Sequence, residues 1–242
     1  MAKIVIKLAG ECRVNENWQT TVNRGINRLY FISGGSGGHI KEGKRIPFLS
    51  DTLYFLPPFA EIQTYTDEPF LEHSYVNFEM IPPIISSEVI ALKIDTDPII
   101  SQTVSLFTEL CKKSTRRLSK SEKELLSSCV LYLCERAAEQ SGSHFADDEI
   151  IIKALSLMHS DVTASVKSIA EACYMSTDGF IRRFKRCIGK TPYAYIKLLR
   201  LRAAEECRQR GMSLSETAEA CGYSDASALL HALSAPEHKA IP

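Results

Sequence analysis

The chain has 242 residues, 45% of them hydrophobic and 24% charged, with a formal net charge of 0. That much apolar material excludes a disordered chain and allows two domains, each with its own core. No run of about 18 apolar residues suits a membrane span, the apolar run after Met1 is too short for a secretory signal, and a cytoplasmic location is expected. Eight cysteines lie scattered without Cys-x-x-Cys spacing, so they are read as small hydrophobes and not as a zinc or disulfide framework.

In chain order, the first 85 or so residues read as β. Ile4–Ile6, Leu29–Ile32, Leu53–Leu56 and Ser74–Phe78 are short runs of β-branched and aromatic residues between Gly, Pro, Asn and Asp clusters, the spacing of an antiparallel barrel or sandwich. Gly34–Gly38 lacks the Gly-Lys-Ser/Thr ending of a phosphate-binding loop and is read as a hairpin loop. From Pro98 the period turns helical. Ile99, Val104, Phe107 and Leu110 mark one helix, ending near the basic run Lys112-Lys113 and Arg116-Arg117. A second should start after Ser121, with Glu124 completing a capping box, and carry the stripe Leu125, Leu126, Cys129, Val130 and Leu133. The two suit an antiparallel hairpin, and Leu125, Cys129 and Leu133 are expected to serve self-association.

Ser141–Ala146 is polar and contains Gly, which makes it the expected linker between domains at 1–141 and 147–242. Asp147 or Asp148 then caps a helix through Ile151, Ala154, Leu155 and Met158. Beyond it, twelve residues come twice, 48 positions apart: Ser165 to Ser176 and Ser213 to Ser224 align without a gap. Each copy has a capping Ser, a short Ala-centred helix, two turn residues and a second capping Ser, the layout of a helix-turn-helix. Ala170 and Ala218 permit close approach of crossing helices. Pro192 opens a long helix that runs to Arg210 before Gly211 and joins the two modules.

Charge is segregated. Residues 1–150 hold 16 Lys/Arg against 20 Asp/Glu, and residues 151–242 hold 13 against 9. Arg182, Arg183, Lys185, Arg186, Lys190, Lys197, Arg200 and Arg202 fall between Gly179 and Ala204 with no acid among them, a footprint for phosphates.

Ile169-Ala170, Ser176, Phe180-Ile-Arg182-Arg-Phe184-Lys185, Gly189-Lys-Thr-Pro192, Tyr195 and Arg200-Leu201 resemble the first helix-turn-helix of the AraC/XylS family of bacterial transcription regulators. The N-terminal strands with Leu53–Pro58 resemble that family's cupin-like effector domain. The resemblance implies an α+β chain: a cupin-like β-barrel with a dimerising helical hairpin, then an all-α domain with two helix-turn-helix units joined by a long helix. It further implies a ligand-responsive regulator, most simply an activator, with promoter DNA, a small-molecule effector, RNA polymerase and a second copy of the chain as partners. It calls for no cofactor or metal.

On the first recognition helix, Phe180, Phe184 and Ile188 form the buried stripe, while Ser176, Thr177, Asp178, Ile181, Arg182 and Lys185 face the DNA. Arg182 suits a bidentate contact to guanine and Ile181 a thymine methyl. Lys185, Arg186 and Arg183 suit phosphates. Asp178 either accepts from a cytosine amino group or stabilises the helix dipole. In the second unit the family's basic pattern is replaced by Leu229-Leu-His231-Ala-Leu233-Ser234-Ala235, and the closing motif by His238 to Pro242. Ser227 and His231 remain as the candidate DNA contacts, with His231 where the family has Arg. This depletion supports an alternative, a weakly DNA-binding sensor or anti-regulator acting through protein partners. A cupin-type metal enzyme is a lesser alternative, because the barrel region offers only His39 and His73. Tyr30, His39, Tyr54 and His73 are the polar candidates for effector binding.

Overall fold

The computed structural model describes residues 2–234 except 16–17, 19–20, 23–24, 59–61, 87, 96 and 115–117. Arg116-Arg117 and the segment from Ala235 to Pro242 lie outside the described residues. One compact unit runs to Phe145 and the other starts at Ala146.

The first unit is built on one long bent hairpin, β3 (Asn27–Lys41) against β6 (Ile62–Ile81). Around it lie β1 (Lys3–Val14), β2 (Thr21–Val22), β4 (Lys44–Pro47), β5 (Thr52–Leu56) and β8 (Ile90–Lys93), in the antiparallel order β1-β6-β3-β5-β8, with β2 on β6 and β4 on β3. Gly34–Gly38, predicted as a loop, lies inside β3. Two register shifts interrupt the ladder there, one at its start between Ile32 and Gly34 and one within it between Gly35 and Gly37. Such bulges bend a strand sharply. Gly35 has φ +81°, and a Cβ there would lie 2.1 Å from the Phe70 carbonyl oxygen; at Gly38 it would lie 2.1 Å from that of Ile46. The glycines are therefore required by close main-chain approach within the sheet.

Alternation sorts the side chains onto two faces. Leu29, Leu53, Phe55, Val76, Phe78 and Met80 share a core with the helices α1 (Pro98–Ser114) and α2 (Lys120–Ser141). Tyr30, Ile32, Tyr54, Leu56 and Leu71 form a second cluster with Phe48. The sheet is open among the described residues, not the closed barrel expected. Its end strands β1 and β8 have no ladder to each other, and helix side chains occupy their free backbone groups. Ser114 Oγ donates to Ala9 O at 2.8 Å, while the Gln140 carboxamide accepts from Lys93 N at 3.3 Å and donates to Lys93 O at 3.5 Å.

The helical hairpin differs from expectation in two respects. The capping box of α2 is Ser119 with Glu122, one turn fragment earlier than Ser121 with Glu124. Cys129 and Leu133 are buried in the core, leaving Ile99, Leu106 and Leu125 as its exposed large apolar residues. A further pairing joins β7 (Ile84–Ile85) to β9 (His144–Phe145), so part of the predicted linker is strand.

The second unit is helical: α3 (Glu149–Ser160), α4 (Val166–Ala172), α5 (Thr177–Ile188), α6 (Pro192–Gln209), α7 (Leu214–Ala220) and α8 (Ala226–Ser234). Pro192 starts α6, with Thr191 accepting from Ala194 N as its cap. Ala170 and Ala218 are buried, as a close helix crossing demands. No helix among the described residues is long and apolar enough to cross a membrane.

Gly35→Ala should lower the unfolding free energy by about 2–4 kcal/mol, because positive φ and main-chain overlap act together. Gly43→Ala, also at positive φ (+76°) but with open space around it, should cost only about 1 kcal/mol. Urea melts of the two variants provide the comparison.

Candidate nucleic-acid interface

Both modules repeat at backbone level. Ser165 caps α4 and Ser213 caps α7, each in a capping box. Each first helix then ends through a residue of positive φ, Tyr174 at +56° and Gly222 at +72°. The modules diverge one step later. Ser176 caps α5 by accepting from Gly179 N at 3.3 Å. In the second module Asp225, not Ser224, accepts from Ala228 N at 2.8 Å and starts α8 one residue later. With this offset Leu229 corresponds to Phe180, Leu233 to Phe184 and His231 to Arg182.

The predicted stripe of α5 is buried: Phe180, Phe184 and Ile188 face the core. The Phe180 and Phe184 rings are 5.6 Å apart, and Tyr195 of α6 meets Phe184 edge-on at 5.6 Å. Tyr195 also shares a 2.8 Å hydrogen bond with His159 Nε2 on α3. The opposite face presents Ser176, Asp178, Arg182, Lys185 and Arg186 exposed, with Thr177 and Ile181 half-buried between them. On α8, Ser227 and His231 are exposed, and so is Leu230.

Not every cation in the basic run is placed alike. Arg183, expected on phosphates, turns to α3: its Nε donates to Asp148 Oδ2 at 2.7 Å. The other oxygen of Asp148 accepts from Ile150 N and Ile151 N, capping α3, and the Cys187 thiol donates to Oδ2 at 3.5 Å. Burial pushes the Asp148 carboxyl up, but the hydrogen bonds from Arg183 and Ile151 N outweigh it and hold the group below its ordinary value. Arg200 is likewise committed, donating from Nε to Val162 O at 2.8 Å and from Nη2 to Thr163 O at 3.0 Å. Lys190, Lys197 and Arg202 have contacts of their own within the chain. Arg182, Lys185 and Arg186 are the exposed cations of α5.

Charge counting missed these assignments because it carries no direction. Asp148 and Arg183 are 35 positions apart, and no local pattern announces their pairing. Tyr174 did carry a signal: the repeat aligns it with Gly222, which marks a left-handed position.

The four effector candidates are each 5% exposed or less. The structure brings Tyr30 and His73 together, ring centroids 4.7 Å apart, with Trp18 at 6.3 and 5.3 Å from them. Phe48 links Tyr54, at 4.6 Å, to His39, at 5.5 Å. These rings belong to the face of the sheet opposite α1 and α2. Burial lowers both histidines, His73 to about 4, so both are neutral at physiological pH. Cys12 Sγ lies 3.5 Å from His73 Nε2, and its thiol is raised to about 11 by burial, which leaves it an unreactive neighbour. No group of three or more His, Cys, Asp or Glu suited to a metal ion occurs among the described residues.

Asp148→Ala should cost about 2 kcal/mol, because it removes a helix cap and strands the Arg183 guanidinium. The sign with pH follows from the lowered carboxyl. Its contribution is fully present above the ordinary carboxylate range and is lost as pH falls through the folded value. Chemical melts at pH 7 and pH 3 should show the variant's deficit shrinking at the lower pH.

Three comparisons with known proteins bear on this arrangement. Residues 169–235 match the model of a helix-turn-helix domain family. No curated protein matches the sequence significantly. Among solved structures, the fold is similar to that of ToxT from Vibrio cholerae, with TM-score 0.65 and 12% identity over 93% of this chain and 92% of that one. Two ligand-bound structures of ToxT are also similar. One holds (E)-4-(8-methylnaphthalen-1-yl)but-3-enoic acid (TM-score 0.64, 12% identity, 93% and 92% covered), the other an unsaturated fatty acid (TM-score 0.62, 9% identity, 93% and 89% covered). Residues 169–235 are thus matched to a helix-turn-helix domain, set within a two-part fold similar to that of ToxT.

Proposed function

We propose that the protein is a cytoplasmic, ligand-responsive transcription regulator that binds promoter DNA through residues 147–242, senses a small molecule through residues 1–141, and activates transcription with RNA polymerase. The observation that carries the DNA reading is the exposed face of α5, where Arg182, Lys185 and Arg186 project from a helix packed on its other side by Phe180 and Phe184. In this reading Arg182 reads a guanine edge, Ile181 meets a thymine methyl, and Lys185 and Arg186 hold phosphates. Ser176 and Thr177 lie at the helix start, where backbone N–H groups meet phosphate. Arg183 acts through Asp148 to seat the helix. Self-association falls to the exposed Ile99, Leu106 and Leu125 of the helical hairpin.

The effector reading is supported by the aromatic face of the sheet. Arg28 is buried on it, close enough to Tyr30 to oppose the upward pull of burial on that phenol. Nδ1 of His39 and Oδ1 of Asn77 are buried with no hydrogen-bond partner among the described residues, and such groups need a ligand or water. A compact apolar acid, with its carboxylate toward Arg28, matches this chemistry and is of the same class as the acids held by the similar ToxT structures.

A second reading has its own observation. Among its described residues, α8 carries no Lys or Arg, and Leu230 is exposed on it; in this reading the module meets a protein partner instead of DNA.

For the first reading, Arg182→Ala should weaken binding to a genome-mapped site by about 1–3 kcal/mol and relax preference at one base pair. Lys185→Ala should weaken all duplexes alike and reduce the salt slope by about one. Equal, uniform losses for both variants would contradict the division of roles.

The second reading is tested by His231→Arg with Ser234→Lys. If α8 lies on DNA, the double variant should bind more tightly and with a steeper salt slope, by roughly 0.9 for each phosphate gained. Unchanged titrations at two salt concentrations would reject DNA contact by α8.

A further inference from the structure

The turn between α4 and α5 holds Tyr174 in left-handed backbone, at φ +56°. A bulky side chain there brings Cβ against the neighbouring carbonyl, which is why such positions favour glycine. The twin module obeys that preference with Gly222 at φ +72°. Burial does not offset the strain at Tyr174, because the residue is 92% exposed. Its ring meets the ammonium of Lys153, 5.1 Å from the ring centroid, and the same Nζ donates to Ala172 O at 2.8 Å. A strained residue whose side chain stands in solvent beside a fixed cation points to a partner outside the chain.

We propose that Tyr174 and Lys153 form a DNA-backbone contact beside the recognition helix, the phenol donating to a phosphate oxygen and the ammonium supplying charge. The proposal rests on the DNA reading of α5. Tyr174 lies two residues before the cap Ser176, and a recognition helix enters the major groove by its N-terminal residues. The residues just before it therefore meet the groove edge, where the phosphates run. The chemistry suits a phosphate: a neutral O–H donor beside an ammonium. The carboxylate nearest in the preceding sequence, Glu171, is paired with Lys167 at 4.0 Å. In the second module Gly222 offers no side chain, in keeping with a helix α8 that has none of the cations of α5.

A backbone contact is independent of sequence, so a mixed-sequence 40-base-pair duplex at two salt concentrations is the probe, with the full-length protein and Tyr174→Gly, Tyr174→Phe and Lys153→Met. Tyr174→Gly should melt at or above the wild-type temperature yet bind several-fold more weakly. Tyr174→Phe, which removes only the hydroxyl, should show a similar loss with the salt slope kept. Lys153→Met should reduce the slope by about 0.9. Undiminished binding by Tyr174→Gly and Tyr174→Phe, beside a wild type that binds, overturns this contact alone. A wild type that binds no duplex overturns the DNA reading with it.

Discussion

The carboxylate of Asp148 is the point on which the DNA-binding unit turns. One oxygen satisfies the first free N–H groups of α3, and the other anchors Arg183 and the Cys187 thiol of α5. A helix start leaves backbone donors that need an acceptor, and a partly buried guanidinium needs an anion. One side chain meets both needs, so the placement of the recognition helix is tied to the start of α3. The apolar contacts of Phe180, Phe184 and Tyr195 fix the other side of α5. Held between these, the helix turns its remaining cations outward.

The two modules show how far backbone and chemistry can separate. Capping serines, buried alanines and left-handed turn residues recur in both, because they satisfy the geometry of two helices crossing closely. The outward faces take no part in that packing and are free to differ. One carries Arg182, Lys185 and Arg186; the other carries Ser227, Leu230 and His231. The shift of the second cap from Ser224 to Asp225 leaves the apolar stripe in register through Leu229, which is fully buried with Ala204, Ala218 and Cys221.

In the N-terminal unit the comparable constraint is main-chain contact at Gly35, Gly37 and Gly38. The bulges there let one hairpin bend, so that β2 and β4 extend its far end while β1, β5 and β8 flank its near end. The face away from α1 and α2 then gathers Trp18, Tyr30, Phe48, Tyr54 and His73. Polar side chains on that face are buried without all their donors and acceptors being matched.

By itself the sequence determined the helical elements and the duplicated motif, because capping, helical period and turn residues are local requirements written within a few positions. It also marked Phe180, Phe184 and Ile188 as the buried side of α5, and hence Arg182 and Lys185 as the open side. It misplaced what depends on contacts between distant segments. Gly34–Gly38 reads as a loop by composition, and only the approach of Phe70 and Ile46 shows why a strand needs glycine there. Pattern pointed to Ser121 with Glu124 as the cap of α2, whereas the observed bonds join Ser119 and Glu122, two residues earlier. Charge counting gave Arg183 and Arg200 to phosphates, whereas Asp148 and the carbonyls of Val162 and Thr163 claim them. Local propensity is legible along the chain, but the direction of a long side chain is settled only by what the fold brings within hydrogen-bond reach.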